Sequence, residues 1–132
     1  PYLIASCVEG IIAQRLVRRV CPQCSHPDEL VPEIRDEILA CYPEYAETAR
    51  FVMGNGCPNC AFTGYRGRSA INEVMVMSDP IRSLVVRREP ANIIKDLAVE
   101  EGMVTLRRDG FLRVVEGRTS VEEVLRVAGK SE

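Results

Sequence analysis

The sequence has no tryptophan and a single histidine, His26, among its 132 residues. One histidine excludes most catalysis in which imidazoles act together as bases or metal ligands. The sequence also lacks a G-x-x-x-x-G-K-[ST] phosphate-binding loop and a G-x-S-x-G nucleophile elbow. No pair of acidic residues is singled out by its spacing. From the residues alone we therefore predict no catalytic residue in this chain.

Long apolar runs and blocks of basic residues are lacking as well. No run approaches the roughly 20 apolar residues that a membrane span needs, and the charged residues within 1–20 do not fit a secretory signal. The net charge is −2, and without a basic block we expect no nucleic-acid binding. Hydrophobic residues make up 46% and charged residues 27%, which is typical of a globular protein.

Cysteine is the residue type whose pattern is most informative. Four of the six cysteines form two C-P-x-C pairs, Cys21 with Cys24 and Cys57 with Cys60. Two C-x-x-C turns that come together supply four sulfurs at the corners of a tetrahedral zinc site. Because such a site has four protein ligands and no open position, we predict that the zinc is structural rather than catalytic.

Other interpretations of these cysteines remain open. A rubredoxin-like iron site uses the same four ligands, so sulfur ligation alone does not separate iron from zinc. Disulfides fit poorly with the absence of a secretory signal, and a thioredoxin-like redox pair needs one C-x-x-C rather than two. His26 could replace a ligand, although we expect it to be a solvated loop residue. Cys7 and Cys41 are expected to be small buried residues.

The first part of the chain is predicted to be helical. Apolar residues recur at helical spacing over 4–20, so we predict a helix that runs directly into the first cysteine pair. Residues 21–50 carry seven acids against two arginines and include a predicted short helix over 32–39, which Pro43 ends. The acidic segment 28–47 is either a solvated face or a docking face for a basic partner.

Strands and then helices are predicted for the rest of the chain. We predict strands over 51–53 and 69–77, and the apolar run at 74–77 indicates burial on both faces of the second strand. From residue 78 the pattern is helical, with short amphipathic helices that form a small bundle. Helix starts are indicated at Asp79-Pro80, Glu89-Pro90, Thr105 and Ser120.

Four motifs occur in a distinctive order along the chain. They are Gln14-Arg15-Leu16-Val17-Arg18, the two Cys-Pro-x-Cys pairs, Thr63-Gly64-Tyr65-Arg66-Gly67-Arg68 and Thr119-Ser120-Val121-Glu122-Glu123. With these motifs the chain closely resembles the C-terminal third of the secretion-superfamily traffic ATPases, which are the type II secretion and type IV pilus assembly ATPases. The resemblance covers nearly the whole chain.

The resemblance implies an α+β fold in four parts. A tetracysteine metal-binding subdomain would be inserted at the end of a RecA-like α/β core, and a small helical bundle would follow. The implied parts are residues 1–20 as the closing helix of the core, 21–62 as the metal-binding subdomain, 63–77 as the return strand and 78–132 as the C-terminal helical subdomain.

The resemblance also implies a function for a longer parent protein. Full-length family members look like cytoplasmic hexamers that hydrolyse ATP with Mg²⁺ and drive protein transport through an inner-membrane platform protein. The family's Walker motifs lie upstream of the matched region, so we expect this chain, which starts at Pro1, to be part of a longer protein. We also expect that it does not hydrolyse ATP alone. The alternative is a stand-alone zinc-ribbon module that binds protein or nucleic acid.

Two arginines of the matched motif are candidate functional residues. Arg66 and Arg68 lie beside Gly64 and Gly67, which indicate a tight bend in the backbone. From such a bend they could reach nucleotide or a neighbouring subunit of a hexamer. The competing interpretation is that both pair with surface acids or helix carbonyls.

Overall fold

The computed structural model describes residues 1–129, which contain six α-helices and four β-strands. The strands form two two-stranded sheets, one of β1 and β4 and one of β2 and β3. Single 3₁₀ turns cover Pro43–Tyr45 and Pro58–Cys60. The elements are α1 (Tyr2–Cys7), β1 (Gly10–Val20), β2 (Ser25–Pro27), α2 (Pro32–Cys41), β3 (Val52–Gly54), β4 (Tyr65–Val76), α3 (Asp79–Val86), α4 (Ala91–Glu100), α5 (Leu106–Val115) and α6 (Val121–Ala128).

The helix predicted over 4–20 is wrong for most of its length. Only α1 is helical, and the chain from Gly10 onward forms the long strand β1. The apolar residues of this segment are mainly β-branched, which favours a strand once a partner strand is available. Val17 and Val20 are buried, whereas Ile12 is 71% exposed, so the apolar spacing does not mark one buried helix face.

The second long strand, β4, confirms the strand predicted over 69–77 but not its predicted burial on both faces. It begins at Tyr65, four residues before the predicted start. Burial on both faces is wrong for the apolar run, because Val74 is 49% and Val76 is 68% exposed. Side chains alternate between the two faces of a strand, and Met75 and Met77 pack into a core on the other face, so only one face of this run is covered.

The chain divides into two compact units. Unit 1 comprises Pro1–Gln14 and Asn72–Thr105. Its buried residues Met77, Ile81 and Ala98 form a core with partly buried residues of the same unit. Ser78 caps α3 by accepting a hydrogen bond from the Ile81 N–H, so the helix predicted at Asp79-Pro80 is confirmed with the cap one residue earlier.

Unit 2 comprises Arg15–Ile71 and the residues from Leu106 onward. Helices α2, α5 and α6 surround its core, in which the largest side chain is Phe111. The helix predicted over 32–39 is therefore confirmed, and it contributes the buried Ile38. The other buried members of this core are Val114, Val115, Val121 and Val124.

The four predicted C-terminal helices all form, but not as one bundle. Helices α3 and α4 belong to unit 1, whereas α5 and α6 belong to unit 2. Within residues 1–129, no helix combines the length and the apolar character that crossing a bilayer requires.

Candidate metal centre

The structure brings the four cysteines of the two C-P-x-C pairs together. The sulfurs of Cys21, Cys24, Cys57 and Cys60 all lie within 4.8 Å of one another. Cys21 and Cys57 are 3.8 Å apart, Cys24 and Cys60 are 3.9 Å apart, and Cys57 and Cys60 are 3.8 Å apart. A tetrahedron with Zn–S bonds of about 2.3 Å has edges of roughly 3.8 Å. The donor set therefore fits a tetrahedral ion of this size.

Short elements on both sides of each pair fix this arrangement. Cys21 follows β1 directly, and its N–H donates a hydrogen bond to the Gly64 carbonyl (3.0 Å). Cys24 precedes β2, which pairs with β3 in an antiparallel register that sets Ser25 opposite Gly54. Because β3 leads to Cys57, the pairing of β2 with β3 brings the second cysteine pair close to the first.

Backbone N–H groups point at the sulfurs. The Gly56 N–H donates to the Cys24 Sγ (3.3 Å), and the Cys57 N–H donates to the Cys60 Sγ (3.3 Å). Gly64 N–H also donates to the Cys60 Sγ (3.2 Å). Such donors stabilise negative charge on sulfur, which is the form that binds a metal.

The thiols differ in their electrostatic environment. Burial acts to raise the pKa of Cys60, but the N–H donors of Cys57 and Gly64 outweigh it and bring the pKa to about 6. Burial raises the pKa of Cys24 to about 11, with added contributions from the neighbouring thiols. The thiols of Cys24 and Cys60 therefore do not ionise alike, as expected when several thiols share one small volume.

Two facing glycines allow the backbone to close around the cluster. A Cβ on Gly54 would overlap the Gly64 carbonyl oxygen, and a Cβ on Gly64 would lie 2.6 Å from the Gly54 carbonyl oxygen. Gly64 also has φ of 82°, a conformation that residues with a side chain rarely adopt. Both positions therefore need glycine for this approach.

The other two cysteines and the histidine lie outside the cluster. Cys7 is exposed on α1, so the expectation that it is buried is wrong. Cys41 is partly buried at the end of α2. His26 lies in β2 rather than in a loop, with Nδ1 3.0 Å from the Pro27 carbonyl oxygen.

Arg66 and Arg68 both lie on β4, where both are exposed. The Arg66 guanidinium donates to the carbonyl oxygen of Asn59 (3.3 Å) and to its side-chain oxygen. Arg66 is therefore tied to the second cysteine pair, and its role toward nucleotide or another subunit stays a prediction.

The acidic segment is mostly solvent-facing. Glu37 is an exception, because its carboxylate pairs with Arg107 at 2.7 Å. Burial raises the pKa of Asp28. The remaining acids of the segment are exposed: Glu29, Glu33, Asp36, Glu44 and Glu47.

Sequence reasoning found the sulfur ligands but not the groups that support them. Asn59, between the second pair of cysteines, donates from Nδ2 to the Cys21 Sγ (3.6 Å). The N–H donors Gly56 and Gly64 were likewise not predicted as part of the site. Glycine before and after a C-x-x-C pair was the available signal, because its backbone comes closest to a neighbouring sulfur.

Comparisons with known proteins give consistent results. The model of the family described as Type II/IV secretion system protein matches residues 1–126. The chain is 41% identical over 125 residues to the type IV pilus assembly ATPase PilB of Thermus thermophilus, covering 95% of this chain and 14% of that protein. It is 38% identical over 127 residues to the type II secretion system protein E of Aeromonas hydrophila, covering 96% of this chain and 25% of that protein.

A third relative extends the match almost to both ends of the chain. The type II secretion system ATPase E of Vibrio cholerae is 35% identical over 131 residues, covering 99% of this chain and 25% of that protein. The chain therefore spans a quarter or less of the length of these relatives.

Proposed function

The chain belongs to the type II/IV secretion system protein family, and from this we propose that it is the zinc-binding and helical C-terminal portion of a traffic ATPase. The parent protein would be a cytoplasmic hexamer that uses ATP and Mg²⁺ to power type II secretion or type IV pilus assembly. It would act at the inner membrane through a platform protein and other assembly components. The names of the relatives support this proposal, since they include ATPases of both systems.

The convergence of four sulfurs is the observation that carries the proposal for this chain. Cys21, Cys24, Cys57 and Cys60 would hold the ion with spacings that fit zinc and with N–H donors on their sulfurs. A closed four-sulfur zinc site supplies folding free energy and has no position for substrate. The function proposed for the site is therefore to fix the segment from 21 to 62.

Metal analysis tests this proposal. We expect purified chain to contain one zinc per molecule, and Cys21→Ser and Cys57→Ser to lose at least nine-tenths of it. Cys41→Ser is the matched control, because Cys41 lies outside the cluster and should leave the zinc content unchanged. A colourless protein with zinc separates this ion from iron. Protein purified without chelators that contains no stoichiometric metal contradicts the proposal.

The longer parent protein would carry the catalytic machinery. The chain has no phosphate-binding loop of the Walker type, so we propose that it hydrolyses no ATP alone. Residues 1–20 and 63–77 would belong to the edge of a RecA-like core in that parent. Residues 78–132, of which the structure describes those up to 129, would supply its C-terminal helices, which here divide between the two units.

Arg66 and Arg68 are proposed to act on nucleotide or on a neighbouring subunit in the parent. Phosphoryl transfer depends on positioning and charge stabilisation, and an added arginine can contribute about 10³-fold or more in rate. We expect Arg66→Ala or Arg68→Ala in the full-length enzyme to lower its ATPase rate or its hexamer content. Arg87→Ala is a control, since Arg87 is exposed and lies in unit 1. An unchanged ATPase rate and an unchanged hexamer content in both variants would contradict this role.

A further inference from the structure

Arginines line a cavity of about 640 Å³ in unit 2. Arg19 comes from β1, Arg50 from the segment before β3, Arg66 from β4 and Arg118 from the segment between α5 and α6. A single acid, Glu116, lies among them, so four positive charges face one negative charge. The cavity is therefore positively charged although the chain as a whole has a net charge of −2.

Backbone contacts hold two of these arginines in place independently of any ligand. The Val20 N–H donates to the Arg118 carbonyl (2.9 Å), and the Arg50 N–H donates to the Val115 carbonyl (3.4 Å). Gly117 has φ of 76°, and a Cβ there would lie 3.5 Å from the Arg50 Nε. The backbone of unit 2 thus places both arginines beside the cavity.

The guanidinium groups have donors to spare, since even Arg66 uses only its Nη1, which donates to Asn59, among the described residues. Within residues 1–129, the side chains of Arg19 and Arg50 have no hydrogen-bond or ion-pair partner. The Arg118 Nε lies 3.7 Å from the Glu116 Oε1, and that oxygen is buried without a hydrogen bond. One acid neutralises only a small part of the charge of four guanidinium groups. The remaining like charges repel one another, and a bound anion would relieve this repulsion.

We propose that this cavity binds a phosphate-bearing anion through Arg19, Arg50, Arg66 and Arg118. The planar guanidinium fork matches phosphate oxygens and forms paired charge-assisted hydrogen bonds with them. Free polyphosphates and the headgroups of anionic lipids share this chemistry. The proposal shares Arg66 with the function proposed above but does not rest on it, because Arg19, Arg50 and Arg118 carry the cavity without any role in ATP hydrolysis.

The test uses the zinc-loaded 132-residue chain and inorganic pyrophosphate as the probe, with binding measured by calorimetry and by side-chain Nε–H NMR shifts. We expect Arg50→Gln and Arg118→Gln to weaken binding about tenfold each, the effect of losing one charge-assisted contact. Glu116→Gln should tighten binding, because it removes the single acid of the cavity. Arg87→Gln is the matched control and should bind like the unmodified chain. Thermal melts show whether each variant is folded.

A second arm identifies the source of the phosphate. Sedimentation with phosphatidylglycerol vesicles, compared with phosphatidylcholine vesicles, measures binding to anionic headgroups. Binding of either probe supports the proposal if Arg50→Gln and Arg118→Gln weaken it and Arg87→Gln does not. Binding of pyrophosphate alone indicates a free polyphosphate, and binding to phosphatidylglycerol vesicles indicates a lipid headgroup. The proposal is overturned if neither probe binds at physiological ionic strength, if Arg87→Gln loses as much affinity as Arg50→Gln, or if polyglutamate binds and pyrophosphate does not.

Discussion

Glu123 is a carboxylate with no exposed side-chain surface, held between two arginines. It accepts hydrogen bonds from the Arg18 N–H (2.8 Å) and the Arg18 Nη2 (3.0 Å), and from the Arg126 Nη2 (2.8 Å). Ser120, not Glu123, caps α6 by accepting from the Glu123 N–H (3.1 Å). A capping box would use the Glu123 carboxylate to bond the backbone N–H of Ser120, but here this carboxylate ties α6 to β1 through Arg18 instead.

Acid stability should therefore depend on Glu123. Burial acts to raise its pKa, but hydrogen bonds from Arg126 and Arg18 outweigh burial and lower the pKa to about 2. Its contribution to the free energy of unfolding is then complete above pH 4.5 and is lost as the pH falls from 4.5 to 2. Urea unfolding measured across this range should show stability falling with pH.

Substitution at this residue separates its contribution from that of other acids. We expect Glu123→Gln to lower the free energy of unfolding at pH 7 by about 2–3 kcal/mol, because it leaves Arg18 and Arg126 without their shared partner. The loss of stability between pH 4.5 and 2 should become shallower in this variant. Glu122→Gln is the neighbouring control, since Glu122 is exposed. Equal effects of the two substitutions would contradict the role of Glu123.

At the scale of elements, the contact between α5 and α6 depends on the absence of a side chain. Gly110 is buried in α5, and a Cβ there would lie 2.6 Å from the Val124 Cγ1. Glycine inside a helix costs roughly 1 kcal/mol relative to alanine. Helix propensity therefore does not explain this residue, whereas the close approach of α6 does.

Gly110→Ala should consequently destabilise unit 2 despite the better helix propensity of alanine. We expect a net loss of about 1–2 kcal/mol in the free energy of unfolding, since overpacking costs roughly 1–3 kcal/mol. Val124→Ala alone should also destabilise by leaving a cavity. Combined in one chain, the two changes should cost less than their sum, and a double-mutant cycle measures this coupling. Strict additivity would show that the two side chains do not compete for space.

The elements with local signals were predictable from the sequence, and those that depend on distant partners were not. Pro80 and Ser120 mark helix starts through their own backbone and side-chain chemistry, and both helices form where expected. The four sulfur ligands were predictable because each C-x-x-C turn is local. Strand β1 was not, because its partner β4 follows about 50 residues later and β-branched residues also suit a helix at this spacing. The arginine cavity likewise assembles from four separate segments.

At the scale of the whole molecule, the cysteine cluster belongs entirely to unit 2. All four ligands lie within Arg15–Ile71, whereas unit 1 has a separate core around Ile81. A metal that supplies folding free energy to one unit need not stabilise the other to the same degree.

Removal of the metal should therefore affect the two units unequally. On treatment with a strong chelator, we expect amides around the cluster, such as Gly56 and Gly64, to lose at least tenfold in hydrogen-exchange protection. Amides of α3 and α4 should retain most of theirs. Restoring zinc should recover the protection in unit 2, which controls for irreversible damage. Loss of protection to the same extent in both units would show a single cooperative structure.

The facing glycines Gly54 and Gly64 limit which substitutions this chain can accept during evolution. Each α-carbon faces the carbonyl of the other residue, and neither position has room for a methyl group. Since both residues are already the smallest possible, no lineage can enlarge one and compensate at the other. Variation in the loops that carry the sulfur ligands must then accumulate around these two glycines as well as around the cysteines themselves, at positions that neither hold the metal nor close the backbone around it.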